Sequence, residues 1–335
     1  MVLIQVFAQR MIAVAAAILV AATGVQTAQA APAQGAAECY WRQTRLPMPQ
    51  GIDYAYVEGS AGTEWIVASG SNYPEPAYGI IWHDQQPRIM LRFRDGSRNE
   101  TQDINRNGVV VGAKVDASYK PTPYVYQTFY RWLPKPATGN TYATALNDRE
   151  DITGYVWTDG AYRIVFWQAG GTGYRILGNG FPVGIDETGR VVASTGEIYH
   201  ADGSQGRLQA PAGLSGIVAS QFDEGVVAGY GTDSAGERVA VVWDAAGKVL
   251  STISGATAKA ANPRGVVLGF PGASSGSSVN VWRDGVREAT LSGPRPNFSD
   301  TPQPSGPDVS LTADDTIIAT PMGLPEPSYW RCVPN

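Results

Sequence analysis

NPRGVVLG, at residues 262–269, and NRNGVVVG, at residues 105–112, are one pattern written twice: an N-x-x-G turn, then a short Val-rich run that ends on glycine. The pattern returns as AGTEWIVA (61–68), NDREDITG (147–154), DETGRVVA (186–193), FDEGVVAG (222–229) and TADDTIIA (312–319), at intervals of 36 to 50 residues. Asn and Gly tolerate the left-handed backbone of a tight hairpin, so each element starts at a turn and runs into a strand. Side chains alternate along a strand, which puts the sixth and eighth places on one face. The sixth place is always β-branched (Ile66, Val110, Ile152, Val191, Val227, Val267, Ile317), which predicts a buried position. The eighth is always Gly or Ala, which predicts close approach of a neighbouring blade or backbone. Repeats of this length are those of propeller blades, and seven of them predict an all-β, seven-bladed β-propeller. The short fourth repeat leaves six or eight blades as alternatives.

Downstream of each element an aromatic marks a third strand: Trp82, Trp132, Trp167, Tyr199, Trp243, Trp282 and Trp330. Rings recurring at one structural place are expected to pack between blades. Leu91, Leu177, Leu208, Leu250 and Leu291 mark fourth strands. The seventh repeat has no room for a fourth strand after Trp330, whereas residues 40–46, YWRQTRL, precede the first repeat without a blade of their own. They are expected to complete the last sheet and close the ring, which removes open sheet edges.

Residues 1–30 read as a secretion signal: Arg10, the apolar run MIAVAAAILVAATGV, and the small-residue site Ala28-Gln29-Ala30. The run is short for a membrane span. The expectation is a secreted, monomeric protein whose residues 31–335 form a single propeller domain of about 44 residues per blade. Its two cysteines, Cys39 and Cys332, flank that domain. In an oxidising compartment they are expected to pair and to stand in for the missing hairpin turn, the alternative being two buried free thiols. A composition with 39 Gly, 23 Pro and only 16% charged residues is that of a turn-rich β protein. The net charge of -5 argues against nucleic acid as a partner.

The succession of N-x-x-G turn, Val-rich strand, Trp strand and Leu strand resembles the bacterial extracellular repeats named for a His-Ala-Phe (HAF) tripeptide. The resemblance covers the mature chain and implies a propeller fold. The chain departs from it in lacking that tripeptide, Ile164-Val165-Phe166-Trp167 being the nearest run, and in placing Glu64, Glu150 and Asp315 where the turn glycine belongs. The resemblance implies no activity.

Connections between second and third strands vary in length, and variable loops carry function. Those of blades 1 to 3 are rich in aromatics, with Tyr73, Tyr119, Tyr124, Trp157 and Tyr162 as candidate ligand-binding residues for an extracellular glycan or peptide. The competing expectation is that these rings pack against their own loops. Pro74-Glu75-Pro76-Ala77-Tyr78 and Pro325-Glu326-Pro327-Ser328-Tyr329 nearly repeat, and ring closure makes their blades neighbours. Glu75 and Glu326 are therefore weak candidates for the paired carboxylates of glycoside cleavage. His83 and His200 directly follow third-strand aromatics and head for outer hairpins. A serine triad and a zinc site lack their histidines or clustered ligands, and acidic residues at the turns read as Asx turns, not calcium ligands. No cofactor is expected. These readings lean toward a binding module and away from an enzyme. The rivals are a polysaccharide hydrolase or lyase working at the central funnel, and a structural surface protein.

Overall fold

Each eight-residue element joins the first strand of a blade to the second, and each sixth-place residue lies opposite the aromatic of the third strand. The pairs are Ile66 with Trp82, Val110 with Tyr126, Ile152 with Trp167, Val191 with Tyr199, Val227 with Trp243, Val267 with Trp282 and Ile317 with Trp330. The computed structural model describes residues 39–72, 77–272, 278–292, 309–321 and 323–334. They form seven antiparallel four-stranded sheets.

Blade 1 comprises Tyr54–Ala61, Trp65–Ser71, Tyr78–His83 and Gln86–Ile89, and blade 2 comprises Arg98–Ile104, Val110–Val115, Pro121–Tyr126 and Tyr130–Trp132. Blade 3 comprises Asn140–Leu146, Ile152–Thr158, Ala161–Trp167 and Arg175–Asn179; blade 4 comprises Pro182–Ile185, Val191–Ala193, Glu197–Tyr199 and Gln205–Arg207. Blade 5 comprises Ser215–Asp223, Val226–Thr232, Arg238–Asp244 and Val249–Ser254; blade 6 comprises Ala256–Ala261, Val266–Pro271, Ser278–Arg283 and Val286–Ser292. Blade 7 takes Val309–Leu311, Ile317–Ala319 and Ser328–Pro334 from the C-terminal end, and its outer strand, Cys39–Arg45, from the other end of the chain. First strands touch first strands all the way round, blade 7 to blade 1 included, so they line the axis.

The closure expected from the sequence is present. Cys39–Arg45 pairs antiparallel with Ser328–Pro334, and Cys39 is bonded to Cys332 with Cα atoms 5.4 Å apart. Cys39 faces Pro334 in the register and Cys332 faces Trp41, so the disulfide crosses the strand pair diagonally. Closing a loop of almost 300 residues contributes on the order of 5 kcal/mol in a chain-entropy picture.

Packing between blades has two further sources. The buried indoles of Trp82, Trp167 and Trp243 donate to the carbonyls of Pro47, Pro134 and Gln209 in the connectors that precede their blades (2.7, 2.6 and 2.7 Å). The turn asparagines do more than form turns. Asn105 Oδ1 accepts from Asn107 and Val109 N–H, while its amide donates to the Asn147 carbonyl of the next blade at 3.0 Å. Asn147 repeats this toward Asp186 (2.9 Å), and Asn262 toward Thr312 (2.9 Å). A Cβ at Gly112, Gly154, Gly229 or Gly269 would run into a first-strand carbonyl, so the small eighth place answers to its own sheet. Of the turn-glycine substitutes, Glu150 and Asp315 adopt the left-handed backbone (φ 65° and 67°).

Blade 2 departs from the expectation. Its third strand is Pro121–Tyr126, within the stretch taken for a loop, and Trp132 lies in the fourth strand, 48% exposed. Prolines 121 and 123 signalled a loop; Pro121 opens the strand, and Pro123 serves it through its carbonyl, which accepts from Leu133 N–H at 3.0 Å. Of the leucines expected to mark fourth strands, Leu177, Leu250 and Leu291 lie in them, and Leu91 and Leu208 fall one or two residues beyond.

Val110 and Val227 are both fully buried. Val110→Asp or Val227→Asp is expected to prevent folding, because a buried unpaired carboxylate costs several kcal/mol, whereas His200→Ala leaves the thermal midpoint within about 2 °C. Circular dichroism melts check this. Reduction of the disulfide is expected to lower the wild-type midpoint.

Candidate functional site

In blades 1 to 6 the first strand carries a β-bulge at one common place, between Val57 and Gly59, Thr101 and Asp103, Ala143 and Ala145, Pro182 and Gly184, Ala219 and Gln221, and Ala258 and Ala260. A bulge inserts one residue and re-aims its side chain. Glu58, Val183, Ser220 and Lys259 are the inserted residues of blades 1, 4, 5 and 6, half-buried between buried neighbours. In an innermost strand that exposure is exposure to the bore.

At the element-turn end the bore is bridged. Arg106 of blade 2 reaches Glu224 of blade 5, nearly opposite in the ring, at 2.7 Å, and lies 3.6 Å from Asp148 of blade 3. Asp103 sits nearby, its carboxylate accepting from Ile104 and Leu146 N–H. Burial pushes its pKa up to about 8, with Asp223 and Asp148 adding to the rise and the two N–H donors opposing it. Asp223 is pushed up to about 6 by burial and by Glu224.

The opposite end carries the loops. There the first strands of blades 1 to 3 begin with an alternation of buried and accessible residues: Tyr54, Tyr56 and Glu58; Arg98 and Glu100; Asn140 and Tyr142. Arg98 pairs with Glu100 at 3.1 Å. Burial raises the Glu100 carboxyl above its ordinary value despite that guanidinium. Tyr142 is pushed up to about 12, first by burial and then by the Glu100 charge. Its ring stacks on Tyr155 (5.2 Å, 15°), which continues to Phe181 (4.8 Å) and Tyr162 (5.4 Å), and Tyr162 to Trp157 (4.5 Å). A cation, a carboxyl and a neutral phenol thus stand at the head of a wall of rings.

The residues expected to bind ligand are distributed unevenly. Tyr119 is 72% exposed in the blade 2 turn, under the Arg98 guanidinium at 5.2 Å. Trp157 is 40% exposed and faces Tyr162 across the blade 3 hairpin. Tyr124 is a correction: it is wholly buried in the third strand, its hydroxyl donating to Asn99 Oδ1, so its expected exposure does not hold. Tyr73 and Glu75 lie outside the described residues. Glu326 is half-buried in the connection between the second and third strands of blade 7, 3.9 Å from Arg45. His83 stacks on Trp65 (3.9 Å) at the outer hairpin of blade 1. Cys39, Cys332 and Glu288 converge, but sulfur held in a disulfide offers no thiolate to a metal.

Arg98, Glu100 and Tyr142 escaped the sequence reading, which was anchored on the second strand. The alternation YAYVE, RNET, NTYA upstream of each element is the signal that would have found them.

No family model and no curated protein matches the chain, so its likeness to the His-Ala-Phe repeats extends only to the propeller fold. Among solved structures, the chain is similar to an oligogalacturonate lyase from Vibrio parahaemolyticus (TM-score 0.60, 12% identity, 87% of this chain and 96% of that one). It is similar to a streptogramin B lyase (0.55, 10%, 87% and 98%) and to YCF48 bound to D1 peptide (0.50, 13%, 88% and 97%). At these identities the likeness establishes the fold. The leaning away from an enzyme, which rested on the lack of a triad, a metal site and convincing paired carboxylates in the sequence, is corrected: two of these similar propellers are lyases. No helix of the described residues is long and apolar enough to cross a membrane.

Asp103 holds its proton more tightly folded than unfolded, so its contribution to stability is complete below its ordinary 3.8 and is lost as pH rises toward about 8. Melting curves across that window are expected to fall more steeply for the wild type than for Asp103→Asn. Equal slopes would show that the carboxyl is ionised in the folded protein.

Proposed function

We propose that this protein is a secreted polysaccharide lyase that cleaves uronate-containing chains at the loop end of its central funnel. The observation that carries the reading is the Arg98–Glu100 pair at 3.1 Å on the funnel wall, with Tyr142 on the adjoining first strand. Eliminative cleavage of a uronate needs three groups: a cation on the carboxylate, a base for the C5 proton and an acid for the departing O4. Arg98 is the cation. Glu100 takes the C5 proton, the C5–H electrons form the C4–C5 double bond, and the C4–O4 bond breaks.

Tyr142 gives its hydroxyl proton to O4 and recovers one from water, while Glu100 releases the C5 proton to solvent, which returns both groups to their starting states. Its pKa of about 12 suits this step, because the departing group is itself a weakly acidic sugar hydroxyl. The raised Glu100 carboxyl is a stronger base than an ordinary one. Tyr119 and Trp157 offer exposed rings on which flanking sugars stack. The two lyases among similar propellers are precedents for this class of reaction, one of them on an oligogalacturonate.

Incubation with polygalacturonate, alginate and hyaluronate, followed by ultraviolet absorbance of the unsaturated product, tests the reading. Turnover of one polymer is expected, lowered about 100-fold or more in Arg98→Ala and Glu100→Gln. The acid limb of the pH–rate profile should lie above 4.5, because Glu100 must be ionised to act and its pKa is raised. New reducing ends without ultraviolet absorbance would make the enzyme a hydrolase. Absence of turnover on all three, or full activity in Arg98→Ala, would remove the proposal.

A further inference from the structure

A second cleft opens beside the funnel, under the connector from blade 1 to blade 2. It encloses about 260 Å³ and is lined by Met90, Arg92, Phe93, Arg94, Ser97 and Asn99 among others. That lies just under the ~300 Å³ at which ligand pockets begin, so the cleft suits one sugar residue and not an oligosaccharide. Its floor is built. A Cβ at Gly79 would collide with Met90 and Asn99, and the buried Asn99 amide donates to the Tyr130 hydroxyl at 2.8 Å. That hydroxyl in turn donates to the Leu91 carbonyl at 2.7 Å, which fixes the connector. Met90 N–H to the Gly79 carbonyl (2.9 Å) and Ser97 N–H to the Asp95 carboxylate (3.2 Å) hold its two ends.

The chemistry of the cleft is cationic and aromatic. Residues 88–98, RIMLRFRDGSR, contain four arginines and one aspartate in a chain whose net charge is negative. Arg94 is exposed on the cleft rim. Beside it, Phe93 packs on Tyr130 (4.5 Å), and Tyr130 stacks parallel to the half-exposed Trp132 (5.9 Å, 6°). Lys114 lies 5.4 Å from the Phe93 ring and 5.9 Å from Trp132. Buried Asn99 stands between Arg98 and Glu100 at the start of the first strand of blade 2, so the cleft and the funnel wall are the two faces of the same few residues.

We propose that this cleft is a second binding site, which holds one uronate residue of an acidic polysaccharide chain and feeds that chain to the funnel. Arg94 meets the carboxylate and Phe93 carries the sugar face. The choice of uronate rests on the function proposed above; the cleft itself does not. Affinity electrophoresis through polygalacturonate or alginate, with dextran as the neutral control, tests the site. Retardation by the acidic polymer and none by dextran is expected, with affinity falling about tenfold in Arg94→Ala and in Phe93→Ala. Melting curves confirm that both variants fold, and turnover of a trisaccharide reads the funnel separately. Retardation without turnover would leave the cleft standing and remove the lyase reading. Wild type that runs freely in both acidic gels, or variants retarded as strongly as wild type, would overturn the cleft.

Discussion

Seven times in this protein a buried β-branched residue of a second strand lies opposite an aromatic of the third, and the rest of the ring follows from that pairing. It fixes the register of the two central strands of every blade, because a slip of one residue would put the two partners on opposite faces of the sheet. With those strands fixed, the outer strand needs only to cover an edge, and several outer strands are largely exposed. The inner strand is left to serve the axis. Six bulges at a common place show how it does so, each giving up one ladder position, and in blades 1, 4, 5 and 6 the inserted side chain is aimed at the bore.

The two ends of the bore then diverge chemically. One is spanned by Arg106 and Glu224, with buried carboxyls beside it. The other is open to aromatic loops and carries Arg98, Glu100 and Tyr142. Burial raises proton affinities at both ends, of Asp103 and Asp223 at the first and of Glu100 and Tyr142 at the second. Arg98 does not cancel the effect of burial on Glu100, so the carboxyl stays a stronger base than an ordinary one.

The blade count, the closing strand and the disulfide were legible because each is written in spacing: a repeat, a strand without a blade, and one cysteine at either end. Blade 2 misled because Trp132 mimicked a third-strand aromatic while Tyr126 held that place between prolines and a second tyrosine. The same tyrosine-rich run made Tyr124 look like a loop residue, when its hydroxyl is spent on Asn99 inside the sheet. The site was hardest to read because first strands repeat no residue. Tyr56, Glu100 and Tyr142 share a position relative to the axis and differ in chemistry, so only the alternation along their strands, and no repeated residue type, announces them. Asn105, Asn147 and Asn262 were legible as turn formers, but their second task, donating to the next blade, needs the neighbouring blade in place.

The central claim is that the loop end of the funnel engages a uronate through Arg98. A crystal structure of Glu100→Gln soaked with an acidic oligosaccharide measures this directly. The account predicts a sugar carboxylate on the Arg98 guanidinium, with O4 toward the Tyr142 hydroxyl and neighbouring rings against Tyr119 and Trp157. Sugar density confined to the Arg106 end, or a funnel without sugar at saturating ligand, would contradict it.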